Sequence, residues 1–472
     1  MRRTKIVATV GPATADRGVL RQLVDAGVNV LRINFSHGEL AMHGDEIALA
    51  RLVAEESGRV VAVLQDLQGP KIRIGTLAKP AIELREGRRF RLTNQRISGT
   101  ANAVTVSYSR LAKDVTPGDS ILLDDGALEL RVEAIAGDDV QCVVVRGGTL
   151  RPHKGVNLPG VAIRAPALTE KDRKDLRFGL AQGVDMVALS FVRHPKDADA
   201  ARRIMSQSGR NVPLLAKIER PEALAHLDGI LRAFDGVMVA RGDLGVELSP
   251  EKVPTAQKEI IARANRMGKP VITATQMLES MTRSPQPTRA EASDVANAVL
   301  DGTDAVMLSG ETAVGEYPVQ TVQAMDRIVR EAETIAVAAD QPIVEERATQ
   351  AHAVCHAAAT LAREVGAGAI AAFTRSGRTA QILSKLRPAI PIVALCERPA
   401  TASQLALWRG VMPLVVAPAR RDDLVESIAR ELREHGVMND GGNVVVVGAA
   451  PGGPAGRTNF IRLLHLSRTD AP

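Results

Sequence analysis

AKIERPEA at residues 216–223, followed by MVARGDLGVE at 238–247, is the part of the chain that decides its fold and its chemistry. Each segment reads as an apolar strand that ends in charged side chains, and a helical stretch separates the two, as in a parallel βα unit. Lys217 and Glu219 are two residues apart and therefore lie on the same side of one strand, while Asp243 follows the next strand. The pattern predicts a cation beside two carboxylates, where a metal ion and a phosphoryl group could meet.

Apolar runs of this kind occur eight times in the first two-thirds of the chain, which predicts a closed (β/α)8 barrel. The runs are KIVATV (5–10), VLRINF (30–35), VAVLQD (61–66), MVALSF (186–191), LLAKIE (214–219), VMVARG (237–242), VITATQ (271–276) and AVMLSG (305–310). Most are spaced like single βα units, but the third and fourth lie about 120 residues apart (186 − 66), too far for one crossover. Another domain is therefore expected between them.

The expected insertion, residues 74–155, consists of short alternating segments divided by Gly, Asp and Pro turns, which predicts a small all-β barrel that covers the catalytic face as a lid. The (β/α)8 catalytic barrel then comprises residues 1–73 and 156–335. Helical and strand patterns alternate again over residues 345–472, which predicts a separate C-terminal α/β domain. The expected fold class is therefore α/β, a TIM barrel with an inserted β lid and a C-terminal α/β domain.

Composition argues against several classes of protein. The formal charge is +6, but aromatic residues make up only 2%, so stacking platforms for nucleic acid are lacking. No run approaches the roughly 18 apolar residues of a membrane helix, and the N-terminus enters a strand without an apolar leader, so a cytoplasmic protein without membrane association is expected. Cys142, Cys355 and Cys396 are scattered and odd in number, and we expect reduced core residues.

The active site of a (β/α)8 barrel forms at the carboxyl ends of its strands, so the polar residues that end each run are the candidates. They are Arg32, Asn34, Ser36, Asp66, Lys217, Glu219, Asp243 and Thr275. Glu219 and Asp243 would supply oxygen ligands for Mg²⁺ or Mn²⁺ from adjacent strands. Lys217 would neutralise charge that develops on a phosphoryl group or an enolate, and Arg32 offers a bidentate fork for phosphate. The alternatives are ordinary loop salt bridges for the carboxylates and a locally satisfied hydroxyl for Thr275.

Eight motifs taken together resemble the pyruvate kinase family. They are RINFSHG (32–38), DLQGPKIR (66–73), KGVNLPG (154–160), AKIERPEA, MVARGDLGVE, ITATQMLESM (272–281), the segment at 287–318, and TRSGRTA (374–380). They occur in order over essentially the whole chain, which makes the resemblance specific. It implies transfer of the phosphoryl group of phosphoenolpyruvate to ADP, which gives ATP and an enolpyruvate that is protonated to pyruvate.

The resemblance also implies roles for individual residues. Lys217 matches the lysine that stabilises the transition state, and Arg32 matches the arginine that binds the substrate phosphate. Glu219 and Asp243 match the Mg²⁺ ligands. The contacts to the substrate carboxylate match Gly242, Asp243 and Thr275.

The nucleotide phosphates are expected near the lid. Their contacts in the family match Asn34, His37, Arg73 and Lys154. Because Lys154 lies at the edge of the inserted domain, it would reach the nucleotide only when that domain closes and excludes water.

One departure from the family concerns potassium. Many relatives hold K⁺ at positions that match Asn34, Ser36, Asp66 and a backbone carbonyl at Leu67. They carry Thr-Lys-Gly-Pro-Glu where this chain has LQGPK at 67–71, so Lys71 replaces a glutamate. An ammonium resembles a monovalent cation in charge and hydration, so we expect turnover without added K⁺, as in a potassium-independent subgroup. The alternative is a solvated loop lysine.

The TRSGRTA segment follows a strand and opens a helix, and a helix N-terminus can bind phosphate. In the family this loop holds a phosphorylated allosteric effector, which would contact Thr374, Ser376, Gly377, Arg378 and Thr379. Read without the resemblance, the segment is a helix cap with an exposed arginine. The resemblance also implies a homotetramer.

Two other functions remain open at this stage. One is an aldolase or lyase that uses a Mg²⁺-bound enolate, although such an enzyme would not need the nucleotide contacts Arg73 and Lys154. The other is a catalytically silent sensor of phosphorylated metabolites, against which the full set of catalytic side chains argues.

Overall fold

The structure is a computed structural model that describes residues 2–335, 349–416, 424–438, 441–449 and 458–466. The chain begins with three parallel strands and two connecting helices, β1 (Lys5–Thr9), α1 (Arg17–Asp25), β2 (Val30–Asn34), α2 (Leu40–Ser57) and β3 (Ala62–Asp66). Helix α1 is capped by Asp16, whose carboxylate accepts a hydrogen bond from the Val19 N–H at 3.0 Å. Helix α2 ends at Gly58, whose φ of 61° is left-handed.

The inserted domain contains a six-stranded and a two-stranded sheet around a core of its own. Its elements are β4 (Ile82–Leu84), β5 (Arg89–Thr93), β6 (Ala103–Thr105), α3 (Leu111–Asp114), β7 (Ser120–Leu123), β8 (Leu128–Ala136), β9 (Asp139–Arg146), β10 (Gly148–Leu150) and β11 (Val156–Asn157). The prediction of an all-β insertion omitted the single helical turn α3. Strand β11 pairs antiparallel with β7, Val156 opposite Leu123, so this sheet includes two residues that the sequence assigned to the barrel.

The chain then completes the barrel. The elements are α4 (Glu170–Gln182), β12 (Met186–Leu189), α5 (Asp197–Gln207), β13 (Leu214–Ile218), α6 (Pro221–Ala225), α7 (Leu227–Ala233), β14 (Gly236–Ala240), α8 (Arg241–Glu247), α9 (Val253–Arg266), β15 (Val271–Ala274), α10 (Arg289–Leu300), β16 (Ala305–Leu308), α11 (Gly310–Ala313) and α12 (Pro318–Ala332). Pairing of β1 with β16, Lys5 opposite Ala305, closes the order β1-β16-β15-β14-β13-β12-β3-β2. The predicted fold class is confirmed, and each barrel strand falls within or one residue beyond a predicted run.

The C-terminal domain is a five-stranded sheet with helices. Its elements are α13 (Gln350–Glu364), β17 (Ala369–Phe373), α14 (Arg378–Lys385), β18 (Ile392–Cys396), α15 (Pro399–Leu405), β19 (Val411–Val415), α16 (Leu424–Glu434), β20 (Asn443–Gly448) and β21 (Phe460–His465). The sheet order is β19-β18-β17-β20-β21, and only β21 runs antiparallel among these strands. Part of the predicted domain, residues 345–348 among them, lies outside the described residues.

The C-terminal domain covers the amino end of the barrel. Ala406 and Leu407, which follow α15, belong to the same apolar cluster as the inward-facing barrel residues Val7, Leu64 and Met307. The carboxyl ends of the strands are therefore left for the functional site, as the sequence predicts.

The remaining structural expectations concern the cysteines and the membrane. All three cysteines are unpaired and buried, and burial raises the pKa of each thiol to about 12. Within the described ranges, no helix combines the length and apolar character needed to cross a bilayer.

Candidate active site

Lys217 is at the centre of a buried charge cluster at the carboxyl end of the barrel. Its ammonium donates a hydrogen bond to Ser190 Oγ at 2.7 Å, lies 2.9 Å from Glu219 Oε1, and lies 3.3 Å from Asp66 Oδ1. Burial lowers the pKa of Lys217, but the Asp66 and Glu219 carboxylates outweigh it, so the net shift is upward. Lys217 therefore carries a fixed positive charge.

Arg32 and Asp66 form a second ion pair beside this lysine. Arg32 Nε donates to Asp66 Oδ2 at 2.7 Å, and its Nη1 donates to Thr9 Oγ1 at 3.0 Å. Burial raises the pKa of Asp66, but Lys217 and Arg32 together lower it below the ordinary value. Asp66 is thus an ionised counter-ion to both cations.

Glu219 has a different environment from Asp66. Its side chain is 1% exposed, and its Oε2 accepts a hydrogen bond from the Phe191 N–H at 2.6 Å. Burial is the main cause of a raised pKa for Glu219, which Lys217 opposes and the like charge of Asp243 reinforces. Oε1 is buried and faces the Lys217 ammonium at 2.9 Å.

Asp243 is in the first turn of α8, because β14 ends at Ala240 and the chain turns directly into a helix at Arg241. The sequence instead predicted a strand through Gly242 and a loop after it. In the structure, the Gly242 N–H donates to Thr275 Oγ1 at 2.7 Å, and that hydroxyl donates to the Ala274 carbonyl at 2.6 Å. Two candidate contacts to a substrate carboxylate, Gly242 and Thr275, are therefore in direct contact.

Arg241 and Ser190 were missed by the sequence reasoning. Arg241 is buried, and its Nη2 donates to the Thr275 carbonyl at 2.8 Å and to the Gln276 carbonyl at 3.1 Å. These two acceptors belong to residues with φ of 69° and 54°, a conformation that is uncommon for residues other than glycine. Ser190 could have been found, because it is the polar side chain at the end of the fourth predicted run.

The donor set fits a divalent cation only in part. Among the described residues, no three His, Cys, Asp or Glu side chains come together as a metal site. Glu219 and Asp243 provide two carboxylates, and the charge of Asp243 helps to raise the pKa of Glu219. These features suit a hard cation that takes its other ligands from substrate and water.

The residues expected at the nucleotide phosphates form an electropositive region. Burial lowers the pKa of His37, and Arg73, Lys71, Arg32 and Lys171 lower it further. Arg73 Nη1 donates to the His153 carbonyl at 3.0 Å, which ties the barrel side of the junction to the inserted domain.

Lys154 and Lys71 both lie near the connection between the barrel and the inserted domain, and each is close to a different carboxylate. Lys154 Nζ is 2.8 Å from Asp124 Oδ1 within the inserted domain. Lys71 Nζ is 3.7 Å from Asp243 Oδ1. A Cβ placed at Gly155 would lie 3.6 Å from Lys71 Cε, so Lys71 lies between the candidate metal ligand and the inserted domain.

Three of the four expected potassium ligands, Asn34, Leu67 and Asp66, are already engaged within the protein. Asn34 Oδ1 accepts a hydrogen bond from the Ser36 N–H at 3.2 Å, and the Leu67 carbonyl accepts one from Ser190 Oγ at 2.7 Å. Asp66, the third expected ligand, is neutralised by Arg32 and Lys217.

The loop at the start of α14 combines buried and exposed candidates. Gly377 caps the helix with a φ of 86°, and Ser376 and Arg378 are exposed. Thr374 and Thr379 are buried, and Thr379 Oγ1 lies 2.8 Å from Thr458 Oγ1. The five candidates are thus adjacent at one helix N-terminus, with two threonines turned inward.

Comparison with known proteins adds independent information. Residues 1–322 match the family described as "Pyruvate kinase, barrel domain", and residues 352–464 match "Pyruvate kinase, alpha/beta domain". The chain is 46% identical over 470 residues to a pyruvate kinase of Mycobacterium tuberculosis, with 99% of each chain covered. It is 47% identical to a pyruvate kinase of Corynebacterium glutamicum, with 99% of this chain and 98% of that one covered. It is also 47% identical to "Pyruvate kinase 2" of Synechocystis, with 98% and 79% covered.

Proposed function

Because the chain belongs to the pyruvate kinase family and is therefore a phosphotransferase, we propose that it transfers the phosphoryl group of phosphoenolpyruvate to ADP. The bond between phosphorus and the enol oxygen breaks, a bond from phosphorus to the terminal ADP oxygen forms, and the enolate carbon then takes a proton to give pyruvate. The observation that carries the proposal is the Lys217 ammonium, held by Ser190, Glu219 and Asp66 at the carboxyl end of the barrel.

Lys217 provides the main stabilisation of developing negative charge. Its position is set by three partners before substrate arrives, so little reorganisation is needed when charge moves onto the enol oxygen. Arg32 is held by Asp66 and Thr9 and keeps part of its guanidinium for the phosphoryl oxygens. The two cations would thus flank the transferring group.

The Thr275 hydroxyl and the Gly242 backbone would orient the substrate carboxylate. Arg241 acts behind them as a positioning residue, because it binds the carbonyls of Thr275 and Gln276. Glu219 and Asp243 would hold Mg²⁺ or Mn²⁺. When bound, that ion supplies charge neutralisation on the phosphoryl oxygens.

On the nucleotide side, we assign Asn34, His37, Arg73 and Lys154 to the ADP phosphates. The four cations that lower the pKa of His37 support this assignment, since they create a positive potential where phosphates would lie. Arg73 and Lys154 flank the connection to the inserted domain, so closure of that domain would bring Lys154 to the nucleotide and exclude water.

We also propose that Lys71 replaces K⁺ as the fixed monovalent charge of the site. Its contact with Asp243 at 3.7 Å and the prior engagement of Asn34, Leu67 and Asp66 support this role. The loop at Thr374, Ser376, Gly377, Arg378 and Thr379 is proposed to bind a phosphorylated effector, and the chain is proposed to form a homotetramer. Unchanged kinetics across a panel of sugar phosphates and nucleotide monophosphates would exclude binding of an effector at this loop. The number of subunits is measured separately by light scattering.

The experiment for the main proposal is a coupled assay of pyruvate formation from phosphoenolpyruvate and ADP with Mg²⁺. Lys217→Met should lower kcat by a factor of about 10² to 10³, the range for losing one preorganised charge donor. Lys258→Met, at a lysine whose side chain is 59% exposed, is the matched control and should retain activity. Absence of turnover in the wild type, together with Mg²⁺-dependent binding of phosphoenolpyruvate, would instead favour the lyase or the sensor.

A further inference from the structure

A cavity of about 570 Å³ lies at the amino end of the barrel, where the C-terminal domain covers it. The cavity and the candidate active site lie at opposite ends of the barrel strands. Lys5 is the first residue of β1, whereas Arg32 and Lys217 are near the carboxyl ends of their strands. Its lining includes Arg2, Lys5, Asn29, Arg59, Val411 and Leu414. The cavity is therefore bounded by both domains and is lined by cations together with the carboxylates Asp25, Glu55 and Asp326.

Lys5 is the unusual member of this lining. Its side chain is buried, with 7% relative exposure, and its ammonium or amine donates to the Val411 carbonyl at 2.5 Å. Within the described ranges, no carboxylate forms an ion pair with it. A buried lysine that has only a neutral carbonyl as partner is held poorly in its charged form.

The charged groups around Lys5 have the net effect of lowering its pKa. Burial and then the positive charges of Arg2 and Arg59 lower its pKa to about 7, and Glu333 opposes them only weakly. Glu333 is occupied elsewhere, since its Oε1 accepts hydrogen bonds from the Thr4 N–H at 2.6 Å and hydroxyl at 2.8 Å. At pH 7.5 a much larger share of Lys5 side chains would therefore be free amines than the roughly one in a thousand expected for an ordinary lysine.

Lys385 is a natural comparison within the same molecule. It is equally buried at the junction of the two domains, but its ammonium lies 2.6 Å from Asp304 Oδ2 and 2.8 Å from Asn265 Oδ1. Its pKa is lowered to about 8, and it does not line the cavity. Lys385 therefore has a carboxylate that favours its charged form and would repel an anionic adduct.

We propose that Lys5 is a carbamylation site that takes carbon dioxide in this cavity. The lone pair of the free amine attacks the carbon of CO₂, an N–C bond forms, and one C=O π pair moves onto oxygen. The nitrogen then releases one proton to solvent, so that R–NH₂ and CO₂ give R–NH–COO⁻ and H⁺. No other reactant is required, and the cavity exceeds by many times the volume of roughly 30 Å³ that one water occupies in the liquid.

The surroundings suit the product better than the ammonium. The carbamate carries a negative charge that Arg59 would stabilise, with a smaller contribution from Arg2 because Arg2 also pairs with Asp326 at 2.9 Å, whereas the same two arginines disfavour a protonated lysine. The carbamate nitrogen keeps one hydrogen, which can still bond to the Val411 carbonyl and so preserves the contact between β1 and β19. Since CO₂ would bind only the folded chain, it should raise stability as any such ligand does.

The test is to equilibrate the whole protein at pH 7.5 with CO₂ and bicarbonate, trap carbamates as esters with a trialkyloxonium reagent, and map them by peptide mass spectrometry. We expect a higher adduct occupancy at Lys5 than at Lys385, because Asp304 holds Lys385 in its charged form and Lys385 does not line the cavity. The N-terminal α-amine is an expected background, and sequencing of the peptides separates it from Lys5.

Adduct confined to the α-amine and exposed lysines, or equal at Lys5 and Lys385, would overturn the proposal. Lys5→Arg should remove the Lys5 signal and leave the α-amine signal unchanged. Because the comparison of Lys5 with Lys385 is made within the wild-type protein, it decides the question even if the variant folds poorly. A ¹³C resonance in ¹³CO₂-equilibrated wild type that is absent from Lys5→Arg gives a second readout.

Discussion

We predict that the enzyme turns over without added K⁺ and that reversing the charge of Lys71 creates a requirement for K⁺. Lys71 Nζ and Asp243 Oδ1 are 3.7 Å apart, and the two side chains are 29% and 27% exposed. Unit charges about 4 Å apart interact by about 4 kcal/mol near a protein surface and about 1 kcal/mol in water. Partial exposure and salt place this pair near the lower end, at about 1–2 kcal/mol.

The expected changes in rate follow from this energy. Lys71→Met removes the attraction and should lower kcat/KM without K⁺ by about 5- to 30-fold, at about 1.4 kcal/mol per factor of ten. Lys71→Glu also adds a repulsion of similar size, so its loss should be about 30- to 1000-fold. K⁺ can occupy the region next to a glutamate, and it should restore much of the activity of that variant.

The assay is pyruvate formation with Mg²⁺ at constant ionic strength, in KCl and in tetramethylammonium chloride. Wild type should be equally active in both salts, whereas Lys71→Glu should be active only in KCl. Lys154→Glu is the matched control. It reverses a lysine charge at the connection to the inserted domain and should lose activity in both salts. A wild type that requires K⁺, or a Lys71→Glu variant that is indifferent to it, would refute the reasoning.

Three further predictions concern other buried polar groups. Thr275→Val leaves the Gly242 N–H without its acceptor, at a cost of about 1–3 kcal/mol, and should raise KM for phosphoenolpyruvate in steady-state assays. Thr275→Ser keeps the hydroxyl and should not, so equal KM values for the two variants would contradict the prediction. Lys385→Met leaves the fully buried Asp304 carboxylate without its cation and should lower the free energy of the first urea transition by about 3–5 kcal/mol. Adding Asp304→Asn should restore part of that loss, and purely additive effects of the two changes would count against the prediction. Because folding lowers the pKa of Lys5 from 10.5 to about 7, the unfolded chain binds more protons between these values and wild-type stability rises with pH. Lys5→Met lacks the buried ammonium, so we expect it to be more stable than the wild type at low pH. In CO₂-free buffer this difference in the free energy of unfolding should shrink by about 2–3 kcal/mol from pH 6 to pH 9, and a difference independent of pH would disprove the linkage.

The barrel could be predicted from the sequence because its strands are buried on both faces and so appear as continuous apolar runs. All eight runs correspond to strands, including those on either side of a 120-residue gap (186 − 66). Helix α8 could not be predicted in the same way. Its first residues are Arg241 and Gly242, glycine is a poor helix former, and its N-cap Ala240 makes no side-chain hydrogen bond.

The role of Arg241 was hidden for a related reason. In the sequence it is one basic residue among 60 lysines and arginines. Its importance depends on the Thr275 and Gln276 carbonyls, which come from a segment about 34 residues later in the chain. Those residues have left-handed φ values, and a β-branched threonine gives no local signal for such a conformation. Only the tertiary structure brings the arginine and the strained segment together.

The carboxylates illustrate what the sequence can and cannot determine about the site itself. The sequence places three acids at strand ends, Asp66, Glu219 and Asp243, and gives no reason to distinguish them. It shows how many carboxylates there are, but not which of them are paired with protein cations. The structure separates them, because Arg32 and Lys217 keep Asp66 ionised, while burial and Asp243 raise the pKa of Glu219. Asp66 is therefore already neutralised by two protein cations, Arg32 and Lys217, whereas Glu219 has only Lys217 beside it among the described residues and a repulsive neighbour in Asp243. An added cation would gain most beside Glu219, which is the physical reason for assigning the divalent ion to Glu219 and Asp243 and not to Asp66.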